Sequence, residues 1–420
     1  MQFKIYEGNG YRIHTIKTNK FKNCSIEIMF RNKLDKNKIT ENNILVDVIS
    51  SSSLKYPNRR DVAIELENLY ASTFKGFVSR LGNTSLISFA TDFLNPKYCE
   101  EGFLEEVLSF PFEMINNPNI HDGKFDDKMF NIVKNRLKSD IESIKENATR
   151  YAFRRSLMHM DDNSPSSYQM VGYLEQLEKI TTSSLVKTYN NMINNSICDI
   201  YVIGDLDMEE VVSIIKRKFN LNKRNDQDIE LYVENNSRDI FIDIQESGKY
   251  EQDSFIMIYN IEDLDEEEKN FAFQLYNIIL GSGGLTSKLY QYLREQNSLC
   301  YTVSSLYQKY DRLLMIYAGI NAKDKDKCIK LVNKAMKEME DGIFSDEELN
   351  NAKLTAITSI RMSEDNQDGI ITNYLFNDLD NFPLSEERIK RFNNVSKEDI
   401  IRVAKKVKLN TIYLLTGEDK

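Results

Sequence analysis

The stretch with the clearest capacity for chemistry runs from residue 280 to residue 301, L-G-S-G-G-L-T-S-K-L-Y-Q-Y-L-R-E-Q-N-S-L-C-Y. It begins with a loop that contains three glycines, Gly281, Gly283 and Gly284. Glycine permits positive φ angles and lets another backbone approach closely, because it has no Cβ atom. The loop can therefore turn sharply and let another segment of backbone approach closely.

Arg294 and Tyr301 are the side chains of this stretch with hydrogen-bond donors suited to binding a carbonyl group. The spacing of leucines predicts a helix from about Thr286 to Gln296, with Arg294 near its end. A strand is predicted to begin near Leu299, which places Tyr301 at its start. A guanidinium and a phenol hydroxyl can both donate hydrogen bonds to a peptide carbonyl and stabilise the oxyanion that forms on it. By residue type alone, such an Arg is more often a surface residue or a carbonyl cap, and such a Tyr more often belongs to the core.

The order of motifs in this stretch resembles one family closely. The insulinase/pitrilysin zinc peptidases, which include mitochondrial processing peptidase, carry a signature of a Gly-rich turn, S-x-L, L-R-E and L-x-Y in their C-terminal half. Here these motifs read S-K-L, L-R-E and L-C-Y. The resemblance implies that Arg294 and Tyr301 reach the backbone of a peptide substrate, and that the loop of Gly281, Gly283 and Gly284 lies against this extended peptide with its own backbone exposed.

Composition narrows the choice of partners. The chain has 420 residues, 29% charged and 41% hydrophobic, with a formal charge of −10 and a pI near 5.2. A nucleic-acid partner is disfavoured, because there is no basic excess to bind phosphates. The 5 cysteines contain no C-x-x-C pair, which indicates free thiols in a reducing compartment. Without a signal peptide or an apolar run long enough to span a membrane, we expect a cytoplasmic location and no membrane partner.

The chain as a whole predicts an α+β fold built from two homologous domains. F-D-D-K-M-F at Phe125 resembles F-S-D-E-E-L at Phe344, and I-T-T-S-S-L at Ile180 resembles V-S-K-E-D-I at Val395. The two members of each pair are separated by nearly the same number of residues. The motifs at Ile180 and at Val395 are each followed by a strand that ends in a Gly-acidic pair. Repetition in the same order indicates two copies of one unit. Each copy is predicted to be a mainly antiparallel sheet packed with helices, and the resemblance implies the half-clamshell of the insulinase-like proteins.

The predicted domain limits follow the polar stretch between the two copies. We expect an N-terminal insulinase-like domain over residues 1–222 and a C-terminal one over 237–420. Residues 223–236 lack an apolar period and are predicted to be a linker. In the N-terminal domain, two antiparallel strands are predicted within residues 1–35, and a hairpin is predicted around Gly82.

The sequence does not contain the zinc-binding motif of the catalytic family members. Their motif is H-x-x-E-H on a helix, in which two His bind the metal and the Glu activates water. This chain has 3 histidines, far apart in sequence: His14, His121 and His159. Aligning the family motif by the downstream L-K-Y-P-N-R-R segment places Asp47, Ser50 and Ser51 at the degenerate metal positions. The later Glu ligand would fall near Asn135 or Arg136, and neither is a zinc ligand.

Other reaction classes find less support in the residues. The sequence G-S-G-G-L-T-S-K does not have the spacing of a phosphate-binding loop, which disfavours nucleotide binding. The serines at 50–53 have no G-x-S-x-G context and no nearby His, so a serine nucleophile is disfavoured as well. An active hydrolase with a different site is therefore the least favoured interpretation.

The resemblance implies a non-catalytic, substrate-binding subunit of a heterodimeric zinc metallopeptidase-like complex. In such pairs a homologous subunit carries H-x-x-E-H and the zinc, and the zinc-less chain adds Arg and Tyr to the shared cavity. No cofactor is expected in this chain, and a peptide is the expected substrate. The segment from Tyr56, Y-P-x-x-x-x-x-A-I-E-L-E-N-L-Y-A-S-T, also resembles a zinc-less bacterial branch named for modification of elongation factor P. The alternative hypothesis is a non-proteolytic scaffold that binds a peptide or protein, for instance as a homodimeric clamp.

Overall fold

The computed structural model describes residues 1–221 and 228–417. The chain folds into two compact units. The first unit contains Met1–Ser143 and Gln169–Glu230, and the second contains Ile144–Tyr168 and Leu231–Lys420.

The elements of residues 1–221 alternate between strands and helices. The strands are β1 Gln2–Glu7, β2 Arg12–Lys17, β3 Asn23–Lys33, β4 Thr73–Leu81, β5 Thr84–Leu94, β6 Ile120–His121, β7 Lys124–Phe125 and β8 Ile197–Gly204. The helices are α1 Ile39–Ser51, α2 Arg59–Asn68, α3 Phe103–Asn116, α4 Asp127–Ser143, α5 Ala148–Asp161, α6 Leu174–Leu177, α7 Thr182–Asn195 and α8 Met208–Lys218.

The sheet of the first unit has six strands in the order β1-β2-β8-β3-β5-β4. β2 is parallel to β8, and the other neighbours are antiparallel. The prediction of two antiparallel strands within residues 1–35 was wrong, because three strands lie there and β2 does not pair with β3. The cause is β8, whose eight residues are all buried. A strand with both faces covered belongs in the middle of a sheet, and β8 separates β2 from β3.

The core of the first unit forms where amphipathic helices cover one face of this sheet. α1 contributes Ile44, Leu45, Val48 and Ile49, all 1% exposed or less. The apolar stripe of α4 also joins this core. α1 and α4 therefore pack side by side, which decides what the degenerate metal positions can contact.

The elements of residues 228–417 repeat this pattern. The strands are β9 Ile242–Gly248, β10 Asp253–Ile261, β11 Cys300–Gln308, β12 Leu313–Ile320 and β13 Val407–Gly417. The helices are α9 Phe273–Asn277, α10 Lys325–Glu340, α11 Asp346–Ser363, α12 Gln367–Asp380, α13 Ser385–Asn394 and α14 Lys397–Ala404.

The second sheet has the order β11-β12-β10-β13-β9, with β9 parallel to β13. Taken from its β9 edge, this sheet has the same strand order as β2-β8-β3-β5-β4 of the first unit. The repeated motifs also begin matching elements, since Ser345 caps α11 just after Phe344, and Ser396 caps α14 just after Val395. The prediction of an α+β fold with two sheet-and-helix domains is confirmed.

Residues 144–168 belong to the second unit although they precede part of the first unit in sequence. α5 packs on β10 and β13, where Ala152 and Met160 are fully buried in a cluster with Ile258 and Met315. The predicted limits assigned this segment to the N-terminal domain, whereas its packing places it in the second unit. The limits 1–222 and 237–420 themselves stay a prediction.

The predicted linker lies only partly within the described residues. Residues 223–227 fall outside them, and residues 228–236 contain neither helix nor strand. Over residues 1–221 and 228–417, no helix has the length and apolar character needed to span a membrane.

Candidate functional site

The glycine loop follows a long helical segment of the second unit. This segment contains α9 between two π-helical stretches, Glu268–Ala272 and Ile278–Ser282. A single 3₁₀ turn, Gly284–Thr286, completes the loop. A further helical segment then ends in a π-helical stretch, Tyr290–Glu295, so the helix predicted from Thr286 to Gln296 is shorter than expected. π-Helical turns are rare and occur often at functional sites.

Glycine is needed at the three positions of the loop for different structural reasons. Gly281 is buried against β11, where an added Cβ would lie 2.6 Å from Ser305 Oγ. Gly283 is equally tight, because a Cβ there would lie 2.6 Å from the carbonyl oxygen of Ile278. Gly284 has a φ of +68° and open space around it. The first two positions therefore need glycine for close packing, and the third for its backbone conformation.

A left-handed residue turns the chain from the helix into β11. Ser298 has a φ of 52°, and its N–H donates to the carbonyl of Arg294 at 2.9 Å. The N–H of Leu299 donates to the carbonyl of Leu293 at 2.8 Å. These bonds end the helix in the manner of a Schellman cap and return the chain over Arg294.

The structure brings Arg294 and Tyr301 into direct contact. Arg294 Nη1 donates to the main-chain oxygen of Tyr301 at 2.9 Å. The guanidinium carbon also lies 4.8 Å from the centre of the Tyr301 ring and 5.0 Å from that of Tyr290. Cation–π contacts with two rings hold the guanidinium in one orientation, while the Tyr301 side chain remains 75% exposed.

Arg294 and Tyr301 line a cleft of about 880 Å³ at one end of the second sheet. The ends of four strands form its walls, through residues 250–253, 298–301, 319–323 and 416–417. Asp253 joins three of these ends, because its two carboxylate oxygens accept from the N–H groups of Ala322 at 2.8 Å and Gly417 at 2.9 Å. The three glycines of the loop are not among the described residues that line this cleft, and Gly281 packs farther along β11.

The helix that carries Arg294 is anchored to α10. Lys288 Nζ lies 3.0 Å from Glu338 Oε2, and the hydroxyl of Tyr292 donates to the same carboxylate at 2.7 Å. Burial, together with the hydrogen bond to Glu338, raises the pKa of Tyr292 to about 12. Tyr292 therefore stays protonated and keeps this bond at physiological pH.

The cysteine in the cleft is unsuited to nucleophilic chemistry. Burial raises the pKa of the Cys300 thiol to about 11, although the charge of Arg294 acts in the opposite direction. The thiolate is the nucleophilic form, and it is scarce at neutral pH when the pKa is this high. Arg294 and Tyr301 are therefore the groups in this cleft best suited to contact a substrate.

Sequence reasoning missed Asp253 as part of this cleft and Tyr290 as a ring stacked on Arg294. Tyr290 precedes Arg294 by one helical turn, and that spacing could have indicated the stacking. Asp253 contacts residues far away in sequence, so no local pattern marks its role.

The degenerate metal positions lie on α1 in the first unit, and two of them, Asp47 and Ser51, have side-chain partners. Asp47 forms an ion pair with Arg136 of α4, and Ser51 Oγ accepts from Arg59 Nε at 3.1 Å. Ser50 points at β4, where a Cβ added to the glycine at position 76 would lie 2.5 Å from Ser50 Oγ. One carboxylate and two hydroxyls beside two guanidinium groups do not fit a zinc ion, which needs neutral His or anionic ligands.

The three histidines have separate hydrogen-bond partners. His14 contacts Asp199 at 3.0 Å, His121 contacts Asn119 at 3.0 Å, and His159 contacts Glu246 at 2.8 Å. Each is held by its own neighbours and none lies at the degenerate metal positions on α1.

Comparison with known proteins points to peptidase homologues that lack activity. Residues 179–355 match the family model described as the Peptidase M16 inactive domain. The chain is also similar to a "Probable inactive metalloprotease YmfF" of Bacillus subtilis (strain 168). The two are 25% identical over 418 residues, which cover 98% of this chain and 96% of the relative. The prediction that this chain holds no zinc agrees with both descriptions.

Solved structures agree on the fold over the full length. A conserved protein from Enterococcus faecalis V583 has a TM-score of 0.93 and 26% identity, with 100% of both chains covered. A peptidase M16 inactive domain from Pseudomonas fluorescens has a TM-score of 0.77 and 16% identity, covering 100% of this chain and 98% of that one. These structures and this chain share one fold over their full lengths.

Proposed function

We propose that this protein is the substrate-binding, non-catalytic subunit of a heterodimeric zinc metallopeptidase-like complex. The observation that carries the proposal is the pairing of Arg294 with Tyr301 at an open cleft, in a chain whose Asp47 is ion-paired with Arg136 and whose Ser51 is hydrogen-bonded to Arg59 at the degenerate metal positions. A homologous subunit with H-x-x-E-H would supply the zinc.

The contribution of this chain is to hold the peptide carbonyl and the charge that develops on it. Arg294 has five N–H donors, of which Nη1 is directed at the Tyr301 carbonyl. The other donors, with the hydroxyl of Tyr301, can bind a substrate carbonyl oxygen and stabilise it as an oxyanion. The two aromatic rings keep the guanidinium aligned before substrate arrives, and such preorganisation is what makes oxyanion stabilisation effective.

An extended peptide could bind beside these residues as an added strand. β11 is the end strand of its sheet, and its outer edge has no strand partner among the described residues. Unpaired main-chain groups on an edge strand are a common binding surface for peptides. The glycine loop packs against the same strand through Gly281 and would lie next to a peptide bound there.

The location that best suits this function is the cytoplasm. All five cysteines are free thiols, four of them buried, as is usual for proteins of reducing compartments. A role tied to modification of elongation factor P rests on the resemblance of the Tyr56 segment alone.

The same cleft also supports a second candidate function, a scaffold that binds peptide without cleaving it. The cleft and the edge of β11 lie entirely within the second unit and need no second chain to form. A scaffold of this kind would bind peptide alone, and adding a zinc-binding homologue would produce no cleavage.

The first test is to identify the partner by native pull-down and mass spectrometry. A stoichiometric homologue with H-x-x-E-H is expected, and the purified pair should cleave peptides that neither chain cleaves alone. Recovery of this chain only as a self-associated species would favour the scaffold.

The second test changes the proposed substrate-binding residues in the reconstituted pair. Arg294→Ala and Tyr301→Phe should each lower kcat by up to ~10²–10³-fold, the range for loss of an oxyanion donor. Matched controls are the exposed residues Arg361→Ala and Tyr98→Phe, which should leave kcat unchanged. Normal turnover in both cleft variants would contradict the proposal.

A further inference from the structure

Two guanidinium groups occupy the face of α1 on which a metal-binding chain would present its ligands. Asp47 and Ser51 are one helical turn apart and therefore lie on one face. Arg136 reaches Asp47 from α4, and Arg59 reaches Ser51 from the first residue of α2. These contacts belong to the first unit and do not involve Arg294 or Tyr301.

The structure also decides between the two positions that sequence left open for the later ligand. Arg136, rather than Asn135, is the residue of α4 that contacts α1 at this point. The arrangement therefore joins a carboxylate on α1 to a cation on α4, at the position where the aligned motif places an acidic ligand.

We infer that Arg136 is the built-in cation of this site: its guanidinium replaces the metal as the positive charge that joins α4 to α1, and it excludes divalent ions. A planar guanidinium matches the geometry of a carboxylate and remains charged at all accessible pH values. The charge of Asp47 is neutralised by Arg136, so it is not free to attract a metal. A divalent ion bound beside Arg136 would also be repelled by it.

Two barriers to metal binding then act separately, namely the missing ligands and the added positive charge. Restoring the ligands alone should not restore the site. Asp47→His with Ser51→His provides two imidazoles at positions i and i+4 of α1. Arg136 still lies beside them, at the α4 position that the aligned motif assigns to the third ligand. Adding Arg136→Glu replaces the cation with a carboxylate ligand and completes three protein ligands.

The experiment is a titration of purified full-length variants with zinc chloride, followed by calorimetry and by competition with a chromophoric chelator. We expect the triple variant Asp47→His/Ser51→His/Arg136→Glu to bind zinc at least ~10²-fold more tightly than the Asp47→His/Ser51→His double variant. Equal affinities of the double and triple variants, whether strong or weak, would overturn the inference.

A matched control uses the same helix and the same change of charge. Lys138 is an exposed residue of α4 that follows Arg136 by two positions and faces away from it. Asp47→His/Ser51→His/Lys138→Glu should bind zinc like the double variant. Tight binding by this control would mean that net charge, and not the position of Arg136, governs affinity, and the inference would be wrong.

A second measurement keeps the inference testable if the histidine variants do not fold. Urea unfolding of Asp47→Asn, Arg136→Gln and the double variant forms a double-mutant cycle. The pair should couple by a factor of about 2 to 5 in the unfolding equilibrium constant, as expected for an ion pair that is 50% exposed at Arg136 and 25% at Asp47. Strict additivity would show that Arg136 does not join the helices through Asp47, and the inference would fail.

Discussion

Glu246 on β9 accepts hydrogen bonds from three different side chains. Arg155 Nε donates at 2.9 Å, Tyr413 Oη donates at 2.8 Å, and His159 Nε2 lies 2.8 Å away. Arg155 and His159 are one turn apart on α5, so a single carboxylate fixes that helix to the sheet. The hydrogen bond from Arg155 is the main reason that the pKa of Glu246 falls to about 2, against the opposing effect of burial.

Replacing Glu246 with Gln should destabilise the protein in a pH-dependent way. A carboxyl group with a depressed folded-state pKa adds stability above its unfolded pKa and loses it as pH falls through the folded value. We expect Glu246→Gln to lower the free energy of unfolding by about 2 kcal/mol at pH 7. The difference from wild type should shrink between about pH 4.5 and pH 2.

Urea unfolding at several pH values measures this difference. Glu142→Gln, at an exposed position on α4, is the control and should change stability little at any pH. A wild-type-minus-variant difference that stays constant from pH 7 to about pH 2.5 would contradict the role assigned to the ionised carboxylate.

At this scale, sequence predicts contacts between near neighbours and misses those between distant residues. Arg294 and Tyr301 were singled out together because one motif places them close in the chain, although their contact with each other was not predicted. Glu246 is 91 residues from Arg155 and 167 residues from Tyr413 in the sequence. No local sequence pattern can indicate contacts between residues so far apart. The same applies to Arg136 and Asp47, for which only an alignment of motifs placed both residues at one site.

At the scale of elements, the glycine loop and β11 act as a single structural element. Gly281 lets the loop lie directly on Ser305, and Ser304 Oγ also donates to the Gly281 carbonyl at 3.4 Å. The loop supports one face of the strand that begins with Cys300 and Tyr301. A change in the loop should therefore alter the stability of the edge of β11, where peptide is proposed to bind.

Gly281→Val tests this coupling, with Gly284→Asn as its control. The valine side chain would collide with Ser305 and Leu289, and overpacking of this kind costs about 1–3 kcal/mol. Gly284 has open space around it, and Asn tolerates its positive φ better than other residues, so Gly284→Asn should cost less than about 1 kcal/mol.

Amide hydrogen exchange is the informative measurement for this pair. Gly281→Val should increase exchange in β11 more than in β13, which is separated from β11 by β12 and β10. Equal protection of β11 in Gly281→Val and wild type would contradict the coupling.

Periodicity predicted most elements of the second unit, and it failed where tertiary structure decides the outcome. The apolar spacing after Ser345 is helical, and α11 spans Asp346–Ser363. The π-helical stretches were not predicted, because the i, i+3, i+4 spacing that identifies a helix assumes α-helical geometry. The pairing of β2 with β8 was missed since strand order depends on which strands are buried on both faces and not on their order in the chain.

At the scale of the whole molecule, the two units share one strand order, but they are not two consecutive pieces of chain. The sequence repeat predicted the shared fold, because capped helices begin at matching points in both copies. It could not predict that residues 144–168 contribute to the second unit. α5 lies within the first copy in sequence, and only its packing on β10 and β13 reveals where it belongs.

The second unit should therefore need residues 144–168 in order to fold. Ala152 and Met160 are fully buried against the β10 and β12 residues Ile258 and Met315, so removing α5 would expose that face of the sheet to water. A fragment of residues 231–420 is expected to unfold without cooperativity on heating, whereas a synthetic peptide of residues 144–168 should restore a cooperative transition.

The matched control for that experiment is the same peptide with Ala152→Asp and Met160→Asp, which should not rescue the fragment because two carboxylates cannot be buried in an apolar cluster. Thermal unfolding followed by near-ultraviolet circular dichroism reports fixed side-chain packing, which separates a folded fragment from a collapsed one. If the fragment unfolds cooperatively at the same Tm with and without the peptide, the second sheet is self-sufficient and α5 only covers it. If the wild-type peptide alone restores the transition, the segment is part of the core, and cutting the chain near residue 222 would unfold the unit that carries Arg294 and Tyr301.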